Sequence, residues 1–309
     1  MKIAKFAQMM GEIGHEVFIY EAGDEPLGFE EDWSGPNLSM ASRIAGQRES
    51  GDFLCIIGGR AQRAIADALP EMMAIEYGIG YGGVFANFRI FESYAWMHTV
   101  YAAGIGDPHA LDGRYFDAVI PNYFDLDDFP LGDGGDYLLY VGRLIGRKGV
   151  ELAGQIAERA ELPLILAGEG PEPPSYGECI GPVGSAERAK LMGDAIALLA
   201  PTQYLEPFGG VAVESMMCGT PAITTDWGAF PETVRHGVTG FRCRTMGEFL
   251  YAVDAAPSLD RAEIRTYARE RYSLGAIAPR YERYFERLKT LAGAGFYDET
   301  RVSGLPRGA

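Results

Sequence analysis

Two glutamates separated by seven residues are the strongest chemical signal in this sequence. They are Glu206 and Glu214, and two adjacent glycines, Gly209 and Gly210, lie between them. An apolar run predicts a strand just before the pair, and a helix is predicted to begin at Gly210. Glycines at a helix start let a ligand approach the exposed N–H groups, which suit phosphate or sugar hydroxyls. A carboxylate about one turn into that helix, at Glu214, can accept two hydrogen bonds from a ribose diol. A helix-terminal charge beside an exposed acid is the structural alternative.

A basic motif after another predicted strand is the second signal. It reads Gly142-Arg143-Leu-Ile-Gly-Arg-Lys148-Gly149. Arginine and lysine about a turn apart at the C-terminal end of a strand can neutralise a diphosphate leaving group. In open α/β sheets, ligands gather at that end of the strands. A solvated basic loop would explain the same residues without any ligand.

Predicted strands and helices alternate along the chain, which favours parallel sheets with covered faces. The first half has predicted strands at 15–22, 52–59, 72–77, 88–93 and 116–121, with helices at 3–10, 38–47, 60–69 and 94–103. A linker rich in Pro, Gly and Asp follows at 121–136. The second half has predicted strands at 137–143, 162–168, 195–201 and 221–226, with helices at 149–159, 186–192, 210–217 and 273–291. The pattern predicts two Rossmann-like halves with a cleft between them.

Composition and charge narrow the class of protein. Hydrophobic residues make up 47% and charged residues 23%, as in ordinary globular proteins, and the net charge is −16. Residues 1–130 hold 8 basic and 20 acidic residues, a net of −12, whereas the rest of the chain has a net of −4. Nucleic acid and anionic membranes are therefore disfavoured partners. No apolar stretch reaches the roughly 20 residues of a transmembrane segment, and the expected location is cytoplasmic. The four cysteines form no CxxC pair, which favours reduced, mostly buried thiols.

Several ordered segments carry a resemblance to a known family. They are VGRLIGRKG, LAGEGPE, EPFGGVAVESMMCGTPAITT and PETVRHGVTGF, preceded by GHEVFIY and VIPNYFDLDDF. Together they resemble the retaining GT-B glycosyltransferases of family four, also called glycosyl transferases group one. The resemblance implies an α/β protein of GT-B fold with two Rossmann-like domains facing a cleft. An acceptor-side domain is expected over 1–131, a donor-binding domain over 132–272, and a C-terminal helix and tail over 273–309 that crosses back to the first domain.

The resemblance also implies roles for particular residues. Arg143 and Lys148, after Gly142, would contact the donor diphosphate and stabilise the departing nucleoside diphosphate, and Glu206 would bind the donor sugar. The backbone N–H groups of Phe208, Gly209 and Gly210 would hold sugar and phosphate, Glu214 would bind the ribose, and the base would lie against the 180–183 segment, including Val183. The implied reaction moves a hexose from a nucleoside-diphosphate sugar to an unknown acceptor. It retains configuration through a front-face mechanism, with no metal and no cofactor beyond the nucleotide-sugar co-substrate.

Three departures from the family pattern are visible. The chain begins at the family's first helix, so the first domain is expected to lack its usual first strand. This leaves open a nucleotide-sugar-binding protein without transferase activity, and an apolar sheet edge that a homo-oligomer would cover. Glu76 falls near a position where many members carry a histidine, and Ala229 replaces a glycine.

Weaker signals lie in the first half. Gly78-Ile-Gly80-Tyr-Gly82-Gly83 matches the GxGxxG pattern of dinucleotide sites. No clear helix opens at Gly83, however, and Glu92 lies only nine residues beyond it, whereas a ribose-binding acid is expected about 20 residues on. A dinucleotide-dependent oxidoreductase is therefore the less favoured alternative. The loop is expected instead to border the acceptor, with Glu76, Tyr77 and Tyr81 exposed. His98, on a predicted helix, is a further acceptor-side candidate, although a packed or surface histidine is the default. No His, Asp or Glu cluster has metal-ligand spacing.

Overall fold

The computed structural model describes residues 2–20, 34–103, 112–292 and 296–297. The helices are Lys2–Glu12 (α1), Ser34–Gln47 (α2), Arg63–Ala68 (α3), Tyr94–Ala102 (α4), Val150–Arg159 (α5), Ser185–Gly193 (α6), Gly210–Met217 (α7), Phe230–Thr233 (α8), Met246–Ala255 (α9), Arg261–Tyr272 (α10) and Leu274–Leu288 (α11). The strands are Phe53–Ile56 (β1), Met73–Ile79 (β2), Phe88–Phe91 (β3), Ala118–Val119 (β4), Leu138–Val141 (β5), Leu164–Ala167 (β6), Glu178–Gly181 (β7), Ala197–Ala200 (β8), Ala222–Thr225 (β9), Gly240–Cys243 (β10), Leu291–Ala292 (β11) and Phe296–Tyr297 (β12). Within these residues no helix is both long and apolar enough to cross a membrane.

The second domain is built on a six-stranded parallel sheet. Its strand order is β10-β9-β8-β5-β6-β7, the doubly wound order in which a topological switch point falls between the first and fourth strands along the chain. Here these strands are β5 and β8, which pair directly. Every residue of β8 is buried, as expected for a strand covered by helices on both faces. The loops that follow β5 and β8 therefore open side by side at one edge of the sheet.

The first domain is built on a smaller parallel sheet, with strand order β1-β2-β3-β4. Its core includes residues from the C-terminal end of the chain, because α11 packs against α1 and this sheet. The ring of Phe6 lies 4.4 Å from that of Tyr77 and 5.1 Å from that of Tyr281. Ser273 is the N-cap residue of α11, and its hydroxyl accepts a hydrogen bond from the Ala276 amide. The chain thus runs from the second sheet back to the first.

The strand predicted over 15–22 is absent from the described part of that segment. Residues 15–20 run without strand pairing, and Phe18 and Ile19 are exposed; residues 21 and 22 lie outside the described residues. A cavity of about 580 Å³ separates this segment from β1 and is lined by apolar side chains including Phe6, Ile44 and Leu54. Its backbone groups therefore do not reach the edge of β1, and an apolar alternating pattern without a partner edge does not form a strand.

Candidate functional site

The basic motif that ends in Lys148 and the acidic motif that begins at Glu206 meet at the switch point of the second sheet. Lys148 follows β5 and Glu206 follows β8, and the lysine Nζ lies 2.9 Å from the glutamate Oε2. Both side chains are largely shielded from solvent, with 22% and 13% of their surface exposed. Strand order is the cause, since β5 and β8 are neighbours although the two residues are 58 positions apart. The pair places a cation and a carboxylate at the carboxyl edge of the sheet, where ligands bind in this architecture.

Gly149 allows Lys148 to reach this place. Its φ is +73°, and a Cβ at this position would lie 2.0 Å from the carbonyl oxygen of Pro201, at the end of β8. Only glycine combines that conformation with so close an approach between backbones. The preceding 3-10 turn, Gly146–Lys148, leads through this glycine into α5. The loop after β5 is therefore held directly against the loop after β8.

Tyr204 lies beside the ion pair. The Arg147 guanidinium is 4.3 Å from the centre of its ring and the Lys148 Nζ is 4.9 Å from it, both within the range of cation–π attraction. Burial by itself lowers the pKa of Lys148, but the charge of Glu206 and hydrogen bonding to Tyr204 and Glu206 outweigh it and raise that pKa above its usual value. Lys148 is thus a firmly protonated cation. The side chain of Arg143 is exposed one residue beyond Gly142, close to the end of β5.

The loop after β9 supports Glu206 from behind. The amide of Ala229 donates to the Glu206 carbonyl at 2.9 Å, and Trp227 Nε1 donates to the Tyr204 carbonyl at 3.2 Å. At Gly228, where φ is +60°, a Cβ would lie 2.6 Å from the Glu206 amide nitrogen. Ala229 has an ordinary helical conformation with φ −84°. This position therefore does not require the glycine of the family pattern.

The start of α7 has the geometry expected of an anion or hydroxyl site. Gly209 is its N-cap residue, with φ +77°, and Gly210 is its first residue. The N–H groups of a first helical turn have no partners within the helix and face outward. The ring of Phe208 is buried and stacks on Phe124 with centroids 6.3 Å apart. Phe208 can therefore serve a ligand only through its backbone.

Glu214 lies in the middle of α7 and pairs with a residue of the neighbouring helix. Arg188, in α6, places Nε 3.0 Å from Oε2 and donates from Nη2 to Oε1 at 3.3 Å. Desolvation raises the pKa of Glu214, and the charge of Arg188 partly offsets this. Val183 is half-buried in the turn between β7 and α6. Helices α6 and α7 pack against each other, and the pair of Arg188 and Glu214 lies between them.

The exposure predicted for Glu76 and Tyr77 is wrong. Both lie in β2 and are buried, at 0% and 3% exposure. The Glu76 carboxylate accepts hydrogen bonds from the Tyr81 hydroxyl and from the amides of Phe85 and Ala86, so it folds the following loop back on itself. Tyr77 belongs to the core around α1 and α11. Strand β2 lies between β1 and β3 and is buried on both faces. The adjacent residues Glu76 and Tyr77 are therefore both buried, which removes the reason for placing them at an open acceptor surface.

The other first-domain candidates behave differently. His98 is exposed on α4, with its ring 6.3 Å from that of Tyr94. Tyr81 is half-buried rather than exposed. The glycine-rich loop after β2 runs through 80–87 to β3 without any helix. It therefore lacks the helix N-terminus on which a dinucleotide pyrophosphate is bound.

The two domains touch through α4 and the second domain's loops. The carboxylate of Glu232, in α8, accepts hydrogen bonds from the amides of Tyr94 and Ala95 at 2.9 and 2.8 Å. The Ser93 hydroxyl donates to the carbonyl of Pro207 at 2.5 Å. A negative charge at a helix N-terminus is favourable, so Glu232 holds the start of α4 next to the loop that carries Glu206.

Sequence reasoning missed three residues of this region: Arg188, Tyr204 and Glu232. Arg188 is one turn into a predicted helix, and no local pattern links it to a glutamate 26 residues later. Tyr204 stands two positions before Glu206, which was a usable signal. Glu232 belongs to the PETVRHGVTGF segment, but its partners lie in the other domain.

Comparison with known proteins finds a family match for the second domain. The sequence model of the family described as glycosyl transferases group 1 matches residues 135–256. N-acetyl-alpha-D-glucosaminyl L-malate synthase of Bacillus anthracis is 32% identical over 123 residues, which are 37% of this chain and 32% of that protein. D-inositol 3-phosphate glycosyltransferase of Mycobacterium sp. (strain KMS) is 28% identical over 193 residues, which are 52% of this chain and 44% of that protein. The matches thus span less than half the length of these curated relatives.

Solved structures resemble the whole described fold. AviGT4, a glycosyltransferase involved in Avilamycin A biosynthesis, superposes with a TM-score of 0.70 at 22% identity, covering 93% of this chain and 88% of its own. Anabaena Alr3699/HepE, solved in complex with UDP and glucose, superposes with a TM-score of 0.61 at 17% identity, covering 82% of each chain. At these identities the likeness establishes the fold. Residues 135–256 thus match the model of the glycosyl transferases group 1 family, and the two parallel-sheet domains of the chain have the GT-B fold.

Proposed function

We propose that this chain is a retaining glycosyltransferase that moves a hexose from a nucleoside-diphosphate sugar to an acceptor hydroxyl. The observation that carries the proposal is the ion pair of Lys148 and Glu206 at the switch point of the second sheet, beside the N-terminus of α7. A cation, a carboxylate and outward-facing helix N–H groups are the groups that a diphosphate bearing a sugar requires. HepE, of the same fold, holds UDP and glucose in its crystal structure.

In the proposed complex, Lys148 and Arg143 bind the diphosphate. Lys148 is fully protonated, because Glu206 and Tyr204 raise its pKa. Its charge then stabilises the negative charge that develops on the leaving phosphate. Arg143 is exposed at the same edge and adds a second cation. These charges, together with the α7 N-terminus, take the electrostatic role that a metal ion plays in other transferases, so the proposed reaction needs no metal.

Glu206 has two partners in the proposed complex. One carboxylate oxygen stays with Lys148, and the other accepts a hydrogen bond from a hydroxyl of the donor sugar. The bond between the sugar's anomeric carbon and the diphosphate breaks first through an oxocarbenium-like state. The acceptor oxygen then bonds to the same carbon on the same face, and its proton passes to the leaving phosphate. Configuration is retained because departure and attack share one face.

The remaining donor contacts follow from the elements around α7. Glu214 binds the ribose diol, the backbone N–H groups of Phe208 to Gly210 hold sugar and phosphate, and the base lies against 180–183, including Val183. The acceptor approaches from the first domain, on the side where α4 meets the 206–210 loop. His98 stays a candidate on that side because its ring is exposed.

A thermal-shift panel tests the donor site. UDP, GDP, ADP and NAD are added to the wild type and to Glu214→Ala. A nucleotide at about 100 times its dissociation constant stabilises a protein by roughly 2.7 kcal/mol, so one diphosphate is expected to raise the melting temperature of the wild type only. A response to NAD alone would favour the oxidoreductase, and no response to any nucleotide would contradict the donor site. Binding without nucleotide release from any donor sugar would leave a binding protein as the better description.

A further inference from the structure

Glu214, the carboxylate proposed to bind the ribose, is held by Arg188, a residue with no role of its own in the proposed donor site. Only 14% of the Glu214 side chain and 21% of the Arg188 side chain are exposed. Arg188 Nη2 donates to Oε1 at 3.3 Å, while Nε lies 3.0 Å from Oε2 without the alignment of a hydrogen bond. The guanidinium thus touches both carboxylate oxygens from one side. The small part of the Glu214 side chain that stays exposed is the part that a ligand can reach.

The surroundings of Glu214 make this partner necessary. Helix α7 is apolar around it, with Val213 and Met217 buried, and desolvation raises the pKa of the carboxyl group. Cys218, the residue that follows α7, adds no positive charge. From α10, Arg261 and Arg265 lie near that thiol, and their guanidinium groups donate to backbone carbonyls rather than to Glu214. Of the charged groups around it in the described structure, Arg188 is the one in contact with the carboxylate.

We infer that Arg188 is a positioning residue, which keeps Glu214 ionised and oriented so that both its oxygens can accept hydrogen bonds from a ribose diol. The inference rests on the proposed donor site. A protonated carboxyl group has one donor and a reduced acceptor capacity, so it cannot accept from both hydroxyls. A carboxylate without the arginine would also be free to rotate about its side-chain bonds. Arg188 would thereby set nucleotide affinity without touching the nucleotide.

The first test compares two glutamine variants on the same helix. Arg188→Gln removes the contact, whereas Lys190→Gln removes an equal charge from a side chain that is 80% exposed and pairs with Asp194. Dissociation constants for UDP, GDP and ADP are measured by calorimetry at pH 7.5, with thermal unfolding as a check on folding. Arg188→Gln is expected to raise the dissociation constant of the diphosphate on the order of tenfold, which corresponds to the free energy of one hydrogen bond to a charged group. Lys190→Gln is expected to bind as the wild type does, and Arg188→Lys to recover part of the loss.

Three further readouts separate positioning from a merely structural role. Between pH 5.5 and 8, Arg188→Gln is expected to lose affinity as the pH falls, because the pKa of Glu214 rises further once the guanidinium is gone. The dissociation constant of the wild type should change less over that pH range. The preference for a ribonucleoside diphosphate over its 2′-deoxy counterpart should also shrink in Arg188→Gln. In a Glu214→Gln background, Arg188→Gln should add little, since the arginine acts through the carboxylate.

The outcomes distinguish the inference from the proposed function. If the wild type binds none of the three diphosphates, the donor site itself fails and the inference fails with it. If the wild type binds one and Arg188→Gln binds it equally well with the same pH profile, the donor site stands and the role of Arg188 is overturned. A loss that is equal in the Glu214→Gln background would also overturn it, because the arginine would then act independently of Glu214.

Discussion

Lys148 and Glu206 form an ion pair of 2.9 Å between the loops that follow two adjacent parallel strands. If the pair serves the donor, Lys148→Ala and Glu206→Ala should each lower turnover at least about tenfold, or ~1.4 kcal/mol of barrier. Turnover is measured as release of nucleoside diphosphate from the donor sugar identified by the binding panel. Lys190→Ala, which removes an exposed lysine of the same domain, is the control and should keep its rate. Unchanged rates in both site variants would refute the assigned roles.

Gly149→Ala should disturb the site through the backbone. The new Cβ would lie 2.0 Å from the Pro201 carbonyl, at φ +73°, so the strain should exceed ~1 kcal/mol. We expect a lower midpoint in urea unfolding together with weaker nucleotide binding, because the loop that carries Lys148 must move. Gly247→Ala is the matched control, since a Cβ there meets nothing within 4 Å and alanine suits a helix. Equal midpoints for the two variants would contradict the packing argument.

Glu232→Gln should loosen the contact between the domains. Its carboxylate accepts from the Tyr94 and Ala95 amides, and a neutral amide interacts more weakly with a helix N-terminus. Hydrogen exchange should become roughly severalfold faster in a peptide covering 93–98 than in the wild type. Glu263→Gln, which removes a first-turn acid of α10, should leave that peptide unchanged. Identical exchange in Glu232→Gln would show that the cap does not hold α4.

The contribution of Asp125 to the stability of the fold should be lost at acid pH. The Lys5 ammonium lies 2.6 Å from its carboxylate and holds the pKa of Asp125 below its usual value of 3.8. Because the pKa of Asp125 is lower in the folded state, its carboxylate stabilises the protein at pH values above the usual pKa of the group. This contribution to the free energy of unfolding disappears as the pH falls through the folded-state pKa. Asp125→Asn should therefore lower the melting temperature at pH 7, by the equivalent of less than about 1 kcal/mol for a partly exposed pair.

The difference between Asp125→Asn and the wild type should narrow below about pH 4. Asp67→Asn breaks a pair whose side chains are 62% and 66% exposed, and it should have little effect at either pH. A constant difference for Asp125→Asn across the whole pH range would show that the carboxylate charge is not what stabilises the fold.

One of the four cysteines should react rapidly with a thiol reagent. Cys179 is exposed in β7, whereas Cys218 and Cys243 are buried. Desolvation raises the pKa of Cys55, Cys218 and Cys243 to about 12, which suppresses the reactive thiolate. Titration of the native protein with a chromogenic disulfide should show one fast equivalent, and Cys179→Ser should abolish it. A fast phase that persists in Cys179→Ser would contradict the assignment.

Local sequence patterns were enough to predict most of the helices and strands that contain apolar runs. The strands at 52–59, 162–168 and 221–226 were predicted, and the structure has them as β1, β6 and β9. Helix α9 was not predicted, although Thr245 and Glu248 form a capping box at its start, a spacing that is visible in the sequence. Strand β7 was missed for a different reason, since its residues are mostly exposed and an exposed edge strand has no apolar period to detect.

For the site, the sequence by itself determined the residue types and the positions of the glycines. Gly149 and Gly209 adopt positive φ. A positive φ is a local requirement for glycine, so these glycines stand in the sequence next to the residues that they position. Only the tertiary structure decided which charges meet and which are buried. Lys148 pairs with Glu206 and Arg188 with Glu214 across 58 and 26 residues, because strand order places their loops and helices side by side. Glu76 is buried because its strand lies inside a sheet with both neighbours present, and no spacing along the chain carries that information.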